Sequence, residues 1–432
     1  MGAATLRHIL AAIFFAMAVL LTQVSAQARP AHPSIPPLLV PEGFGVNIHF
    51  TDPQPGEMKK IADSGARWVR MDLHWDGTER QKGVYDFSAY DRLVQALDEH
   101  GLKALFILDY GNPLYDNGLA PRDEATRQAF ARWAVAAAGR YAGKGYLWEI
   151  WNEPNGTIFW RPKPNLDDYV RLARAVTEAF QKNLPQEALI GPASYRLPDK
   201  LFRKLFRAGV LEHWAALSIH PYRWWMKPET AGTMYARLRK LLREFDPAQA
   251  DFPILSGEWG YSTAQFGVDE EKQTQFLPRM YLFNLYQGIP ITIWYDWKDD
   301  GDNPKEKEHR FGIVGQDFRR EKPAFHAIRT LSRELGGFRF VRRLPTKSFD
   351  DYVLLFEKGG EKRLAAWTTA GKSRGVAVEA WQGGFVETDY LGKTLKRKTG
   401  HPSGMRIDLE QGPKYLRLIS ENASTDPNPA AR

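Results

Sequence analysis

Two short stretches hold residues whose types and spacing suit acid–base chemistry. "WNEP" at 151–154 presents Asn152 and Glu153 after an alternating apolar run, and "GEWG" at 257–260 presents Glu258. Each follows a stretch that reads as a β-strand, so each carboxylate is expected at a strand end. Two carboxylates facing each other across a cleft suit the hydrolysis of a glycosidic bond: one gives a proton to the leaving oxygen, the other stabilises or attacks the anomeric carbon. Sugars also need apolar faces for their C–H surfaces and polar partners for their hydroxyls. Eight of the fourteen tryptophans (148, 151, 160, 224, 225, 259, 294 and 297) fall in or near the same strand ends. No cysteine is present, which excludes disulfides, thiol nucleophiles and Cys-held metals. No histidine cluster has metal-ligand spacing, so neither metal nor cofactor is expected.

Residues 42–336 must position these groups. Apolar strand patterns at 43–50, 68–75, 103–110, 146–152, 188–194, 215–222, 252–262 and 290–297 alternate with amphipathic helical stretches. Eight strand–helix units predict an α/β protein, a closed (β/α)8 barrel, with chemistry at the C-terminal ends of its strands. No glycine-rich phosphate loop follows the first strand, which argues against a nucleotide-binding sheet. The strand ends supply Asn47 and His49; Arg70, Asp72, His74 and Trp75; Asp109 and Tyr110; Asn152 and Glu153; His220 and Tyr222; Glu258 and Trp259; and Trp294, Asp296 and Trp297. From 337 to 420, short β-type runs between glycine turns predict a small β-sandwich.

The flanks and the charge set further expectations. Arg7 and His8 precede an apolar run from Ile9 to Leu21, and Val24 and Ala26 fit a small-residue cleavage pattern. This predicts a signal peptide over 1–26, cut after Ala26, and an exported protein, periplasmic or secreted. The run is short against the ~20 residues of a membrane span, so an uncleaved anchor is the lesser reading. Residues 27–41 carry five prolines and read as an extended linker, and 421–432 as a disordered tail. Net charge is +8, and 337–420 holds 16 Lys and Arg against 9 Asp and Glu. That excess, including "KTLKRK" at 393–398, suggests weak electrostatic association with an acidic polymer or the cell envelope. A monomer is expected, and no nucleic-acid partner. The sequons "NGT" and "NAS" read as chance matches.

Together, "WNEP" and "GEWG" resemble the clan A retaining glycoside hydrolases, which carry catalytic glutamates on barrel strands 4 and 7. "HPY" at 220–222 and "NIHF" at 47–50 look most like family 39, a group of β-xylosidases and exopolysaccharide-processing endoglycosidases. The resemblance implies that Glu153 is the acid/base and Glu258 the nucleophile, with Asn152 on the sugar 2-hydroxyl. It implies that Arg70 holds the nucleophile charged and that His49, His220, Tyr222 and Trp294 line the sugar site; Trp75, Tyr110 and Trp259, at the same strand ends, are further candidates for binding the sugar. The implied activity is endo-cleavage of a bacterial exopolysaccharide. An exo-acting β-xylosidase, a transglycosylase and a non-catalytic sugar-binding barrel are the alternatives.

Overall fold

The computed structural model describes residues 31–378, 381, 383–398 and 404–419. The expected signal peptide and tail lie outside the described residues. Among the described residues no helix is long and apolar enough to cross a membrane.

Eight parallel strands close a barrel in sequence order: β1 (Phe44–Asn47), β2 (Trp68–His74), β3 (Lys103–Asp109), β4 (Leu147–Ile150), β5 (Ala188–Tyr195), β6 (Ala216–His220), β7 (Ile254–Trp259) and β8 (Thr292–Trp294). Closure is made by β1 on β8, with Gly45 opposite Ile293. An outer ring follows the same order: α1 (Glu57–Asp63), α2 (Ser88–Glu99), α3 (Glu124–Arg140), α4 (Leu166–Asn183), α5 (Asp199–Arg207), α6 (Gly232–Phe245), α7 (Glu270–Tyr286) and α8 (Pro323–Leu335). Local chemistry starts several of these helices where the pattern breaks. Asp123, Asn165 and Asp269 each accept a backbone N–H of the first turn of α3, α4 and α7, satisfying donors that a helix start leaves free. Strands 1 and 8 are shorter than their apolar runs suggest, so His49 and Tyr295 project from loops just beyond them.

The β-rich remainder forms a six-stranded antiparallel sheet in the order β14-β13-β16-β11-β10-β9, faced by the two-stranded sheet β12-β15. The ranges are β9 (Arg339–Arg343), β10 (Asp351–Lys358), β11 (Glu361–Thr368), β12 (Arg374–Val378), β13 (Phe385–Thr388), β14 (Thr394–Lys398), β15 (Met405–Leu409) and β16 (Lys414–Leu418). Val353, Leu364 and Leu416 of the large sheet share a core with Val376, Val378, Met405 and Ile407 of the small one. This is the expected sandwich. Alternate residues of β10, Tyr352, Leu354 and Phe356, join the barrel's core instead. Both faces of β10 are therefore covered, which is why "YVLLF" reads as a continuous apolar run.

The proline-rich segment is not a free linker where it is described. Val40 and Gly337 exchange backbone contacts with Phe338 and Val40 (Val40 N–H to Phe338 O, 3.0 Å; Gly337 N–H to Val40 O, 2.7 Å). Ile35 and Val40 are buried. Proline imposes an extended backbone that suits such edge pairing, and two apolar anchors dock it.

Candidate active site

At the C-terminal ends of the strands lies a cavity of about 580 Å³. Its centre is a buried guanidinium. Arg70 of β2 donates to Glu258 Oε2 (2.6 Å), Glu149 Oε2 (2.8–2.9 Å), Asn47 Oδ1 (3.2 Å) and Asn152 Oδ1 (2.8 Å). A buried cation without carboxylate partners would cost several kcal/mol; here two carboxylates flank it and hold its proton more firmly than usual, against the opposing effect of burial. Glu258 Oε1 also accepts from Tyr222 Oη at 2.6 Å. Glu258 is therefore gripped at both oxygens by hydrogen-bond donors, which fix its orientation.

Glu153 has the opposite surroundings. Burial raises its pKa to about 7, against the lowering influence of Arg70 and Lys307. Its Oε1 lies 2.8 Å from His220 Nδ1. Burial holds His220 neutral, with a pKa near 4 in spite of the Glu258 charge. His220 Nε2 faces Arg70 Nη2 at 3.4 Å. Arginine only donates, so Nε2 accepts and the imidazole proton sits on Nδ1, pointing at Glu153 Oε1. The acidic proton of Glu153 is left for Oε2. Asn152 is oriented the same way: its Oδ1 faces Arg70, and its Nδ2 donates to Tyr110 Oη at 3.1 Å.

The "WNEP" turn has an unusual backbone. Trp151 and Glu153 both adopt positive φ, 66° and 43°, a region bulky side chains avoid. It is secured by Trp151 N–H to Leu108 O (3.1 Å) and Glu153 N–H to Ala193 O (3.0 Å). Trp151 packs against Trp160 at 5.1 Å between ring centres, outside the cavity. The turn thus brings two consecutive polar side chains into the cavity, which a regular strand cannot do. The glycines of "GEWG" have a steric cause. A Cβ on Gly257 would meet Ser218 Oγ at 2.1 Å, and one on Gly260 would meet the Tyr295 carbonyl at 1.7 Å.

Most expected residues meet here: His49, Arg70, Tyr110, Asn152, Glu153, Tyr222 and Glu258 all line the cavity. Four do not. Trp75, Trp259 and Trp294 are fully buried. Trp75 stacks on Tyr115 at 4.8 Å, Trp259 packs on Tyr261, and Trp294 donates its indole N–H to Phe311 O at 3.2 Å. Strand alternation explains Trp294, which follows the inward Ile293 and yields the cavity to Tyr295; Trp75 opens a short helical turn over Trp75–Thr78, and a register shift between Ser256 and Trp259 turns Glu258 inward and Trp259 toward the helices. His220 is completely buried beneath Glu153 and touches the acid. Residues not anticipated are Glu149, the second partner of Arg70, and Tyr295, Phe159 and Lys307 in the wall. Glu149 had a signal: a carboxylate in mid-strand facing a barrel interior requires a cation. Lys307 had none, since it comes from a loop without pattern; its amino group sits 3.5 Å from the centre of the Trp224 ring.

Among the described residues two clusters have metal-like donor sets, Glu153–His220–Glu258 and His49–Asp296–Asp300. In the first, Arg70 already supplies positive charge at 2.6 Å from Glu258. In the second, burial works against the charge on His49, but Asp296, Asp300 and Asp72 raise its pKa to about 9, so its ring keeps the proton a metal would have to displace. The first cluster has a more direct meaning. One carboxylate oxygen from each of Glu153 and Glu258 lies within 4.8 Å of the other. That is the close spacing of a retaining pair, short of the ~6.5–9.5 Å that leaves room for an inverting enzyme's water.

Barrel and carboxylate pair together define a retaining glycoside hydrolase of clan A. Residues 40–301 match the model "Cellulase (glycosyl hydrolase family 5)", and the chain belongs to that family. Its likeness to solved structures runs to family 39, the group the sequence resembled. A family 39 glycoside hydrolase from Bacteroides cellulosilyticus WH2 is 24% identical, with a TM-score of 0.75 over 91% of this chain and 83% of that one. A family 39 β-xylosidase from Caulobacter crescentus is 15% identical, with a TM-score of 0.65 over 91% and 99%. A family 30 endoxylanase from Clostridium papyrosolvens C71 is 10% identical, with a TM-score of 0.65 over 91% and 98%. At these identities the likeness is one of fold.

Proposed function

We propose that this protein is an exported endo-glycosidase that cleaves β-linked bacterial exopolysaccharide by double displacement, with Glu258 as nucleophile and Glu153 as acid/base. The observation that carries the assignment is the unequal environment of two carboxylates within 4.8 Å. Glu258 is held by Arg70 and Tyr222, each at 2.6 Å; Glu153 is buried and keeps its proton up to about pH 7. In the first step Glu258 bonds to the anomeric carbon as the glycosidic C–O bond breaks, and Glu153 passes its proton to the departing oxygen. Glycosylation removes the Glu258 charge, so Glu153 ionises more readily. It then takes a proton from water, which attacks the same carbon and releases Glu258. Asn152 Nδ2 is aimed to bond a sugar hydroxyl. Export is supported by the N-terminal sequence pattern, and the protein is taken to act as a monomer.

Endo-action is supported by apolar side chains that continue from the cavity wall at Ile158 to positions beyond it. Ile158 after β4, Trp225 and Met226 after β6, and Phe266 after β7 are 75%, 70%, 43% and 88% exposed. A single terminal sugar does not reach the outer of these, whereas the flanking units of a polymer do. The loop bearing Phe266 is tied to the Lys307 loop by Gln265 N–H to Pro304 O (2.8 Å). The basic β-rich part adds weak association with an acidic polymer or envelope surface. Viscometry alongside reducing-end counting tests the mode of action on xylan and on purified bacterial exopolysaccharide. Endo-action predicts a steep viscosity loss at few new ends; single sugars released at constant viscosity would establish the exo-acting β-xylosidase reading instead. Products elongated on an added acceptor sugar would mark a transglycosylase.

A further inference from the structure

Residues 394–398 of the run "KTLKRK" form β14, an edge strand that among the described residues pairs with β13 alone. Lysine and arginine on a sheet edge have a structural reason, since they block pairing with another chain's edge. A second basic surface of the same domain also draws on edge strands, with Arg342 on β9, Arg374 on β12 and Arg406 on β15, but here the cations surround clefts. The segment Leu344–Thr346 separates two adjoining clefts of about 500 and 560 Å³. Arg342 and Arg343 line the first and Lys347, Arg374 and Arg406 the second, and among the described residues Asp351 is the sole carboxylate lining either. Asp351 is buried and already takes Arg374, at 3.5 Å. Arg343 is pinned by its bond to the Asp351 carbonyl (2.8 Å) and lies 4.0 Å over the Tyr352 ring. Arg342, Lys347 and Arg406 are exposed, and among the described residues none has a carboxylate within ion-pair distance. The first cleft also carries Phe349, 94% exposed, and Tyr286.

We infer that these two clefts form an accessory binding site for an acidic polysaccharide. Uncommitted cations suit carboxylated or sulfated sugars, and an exposed ring suits the C–H face of a pyranose. The inference rests on the proposed association with an acidic polymer and names where it occurs. Site and catalytic cavity act on one chain by tethering: a polymer held at the β-domain raises the local concentration of its own cleavable bonds at the barrel.

The test uses the full chain, polygalacturonate-coated beads and low ionic strength. Arg342→Gln/Lys347→Gln/Arg406→Gln should lower retention about tenfold or more, because three charges within a Debye length of the polymer are lost. Phe349→Ala should lower it several-fold, and neither variant should change turnover of a small neutral aryl glycoside. Lys393→Gln/Lys396→Gln/Arg397→Gln should retain like the parent. Loss in this β14 variant alone would move the site to the edge strand and overturn the inference while leaving the association intact. Retention by the parent that ignores salt, or no retention, would remove the association itself. An unchanged Phe349→Ala, or equal competition by single-stranded DNA, would reduce the clefts to a general polyanion surface and overturn the assignment to a glycan.

Discussion

The barrel's cavity and the β-sandwich use charge in opposite ways. In the cavity, Arg70, Glu149 and Glu258 are buried and bound at 2.6–2.9 Å. On the sandwich, Arg342, Lys347 and Arg406 stand in solvent. Buried charge has a steep desolvation cost, so each such group must be matched, and each match fixes a position and a protonation state. Exposed charge costs little, so it accumulates freely, and only its arrangement around a cleft carries meaning. The difference teaches where to look: in the barrel the loss of one buried charge should be felt at once, whereas on the sandwich single charges should matter only through their sum.

Substitutions at four positions sharpen or break that comparison. Glu258→Ala should lower kcat about 10⁴-fold or more, by removing the covalent step. External azide should restore part of the rate and give a glycosyl azide of inverted configuration; normal turnover would end the nucleophile assignment. Glu153→Ala should lower kcat/KM for substrates with poor leaving groups by about 10²–10⁴-fold. Aryl glycosides with acidic phenols should still glycosylate the enzyme, which then stalls. The sign of the pH effect follows from the same group: above about pH 7 Glu153 has lost the proton it must donate, so parent kcat/KM falls as pH rises. That limb should vanish in Glu153→Gln, and a limb that persists would assign it to another residue. Arg70→Met leaves Glu149 and Glu258 buried without their cation, and denaturant unfolding should show a loss of about 3–5 kcal/mol. Arg342→Gln, one exposed cation of the sandwich, should stay within about 0.5 kcal/mol. Equal stability losses at these two sites would erase the distinction.

The sequence showed the barrel through eight apolar runs, and its two motifs pointed to the carboxylate pair that meets in the cavity, because a strand end that presents a lone carboxylate has few structural uses. It misled where composition stood in for geometry. Tryptophans near strand ends suggested a sugar-stacking wall, yet a strand alternates its side chains, so Trp294 beside the inward Ile293 faces the helices. Trp259 leaves the cavity through the register shift that turns Glu258 inward, and Trp75 because it opens a helical turn; neither irregularity is legible in the sequence. The "WNEP" turn also departs from the rule, because positive φ at Trp151 and Glu153 interrupts the alternation. His220 illustrates a further limit: histidine type and strand position placed it at the site, but only the third dimension put Glu153 between it and the cavity. Lys307 and Phe159 come from loops whose course no periodicity dictates.

The central claim is that Glu258 forms the covalent bond and Glu153 supplies the proton. Incubation with an activated 2-deoxy-2-fluoro glycoside slows the second step and accumulates the intermediate, and peptide mass spectrometry then locates the sugar. The account predicts one glycosyl group per chain, attached to the peptide containing Glu258, in parent and Glu153→Gln alike. A label on Glu153 or Glu149, or turnover of a substrate with no covalent adduct and an inverted anomeric product, would contradict it.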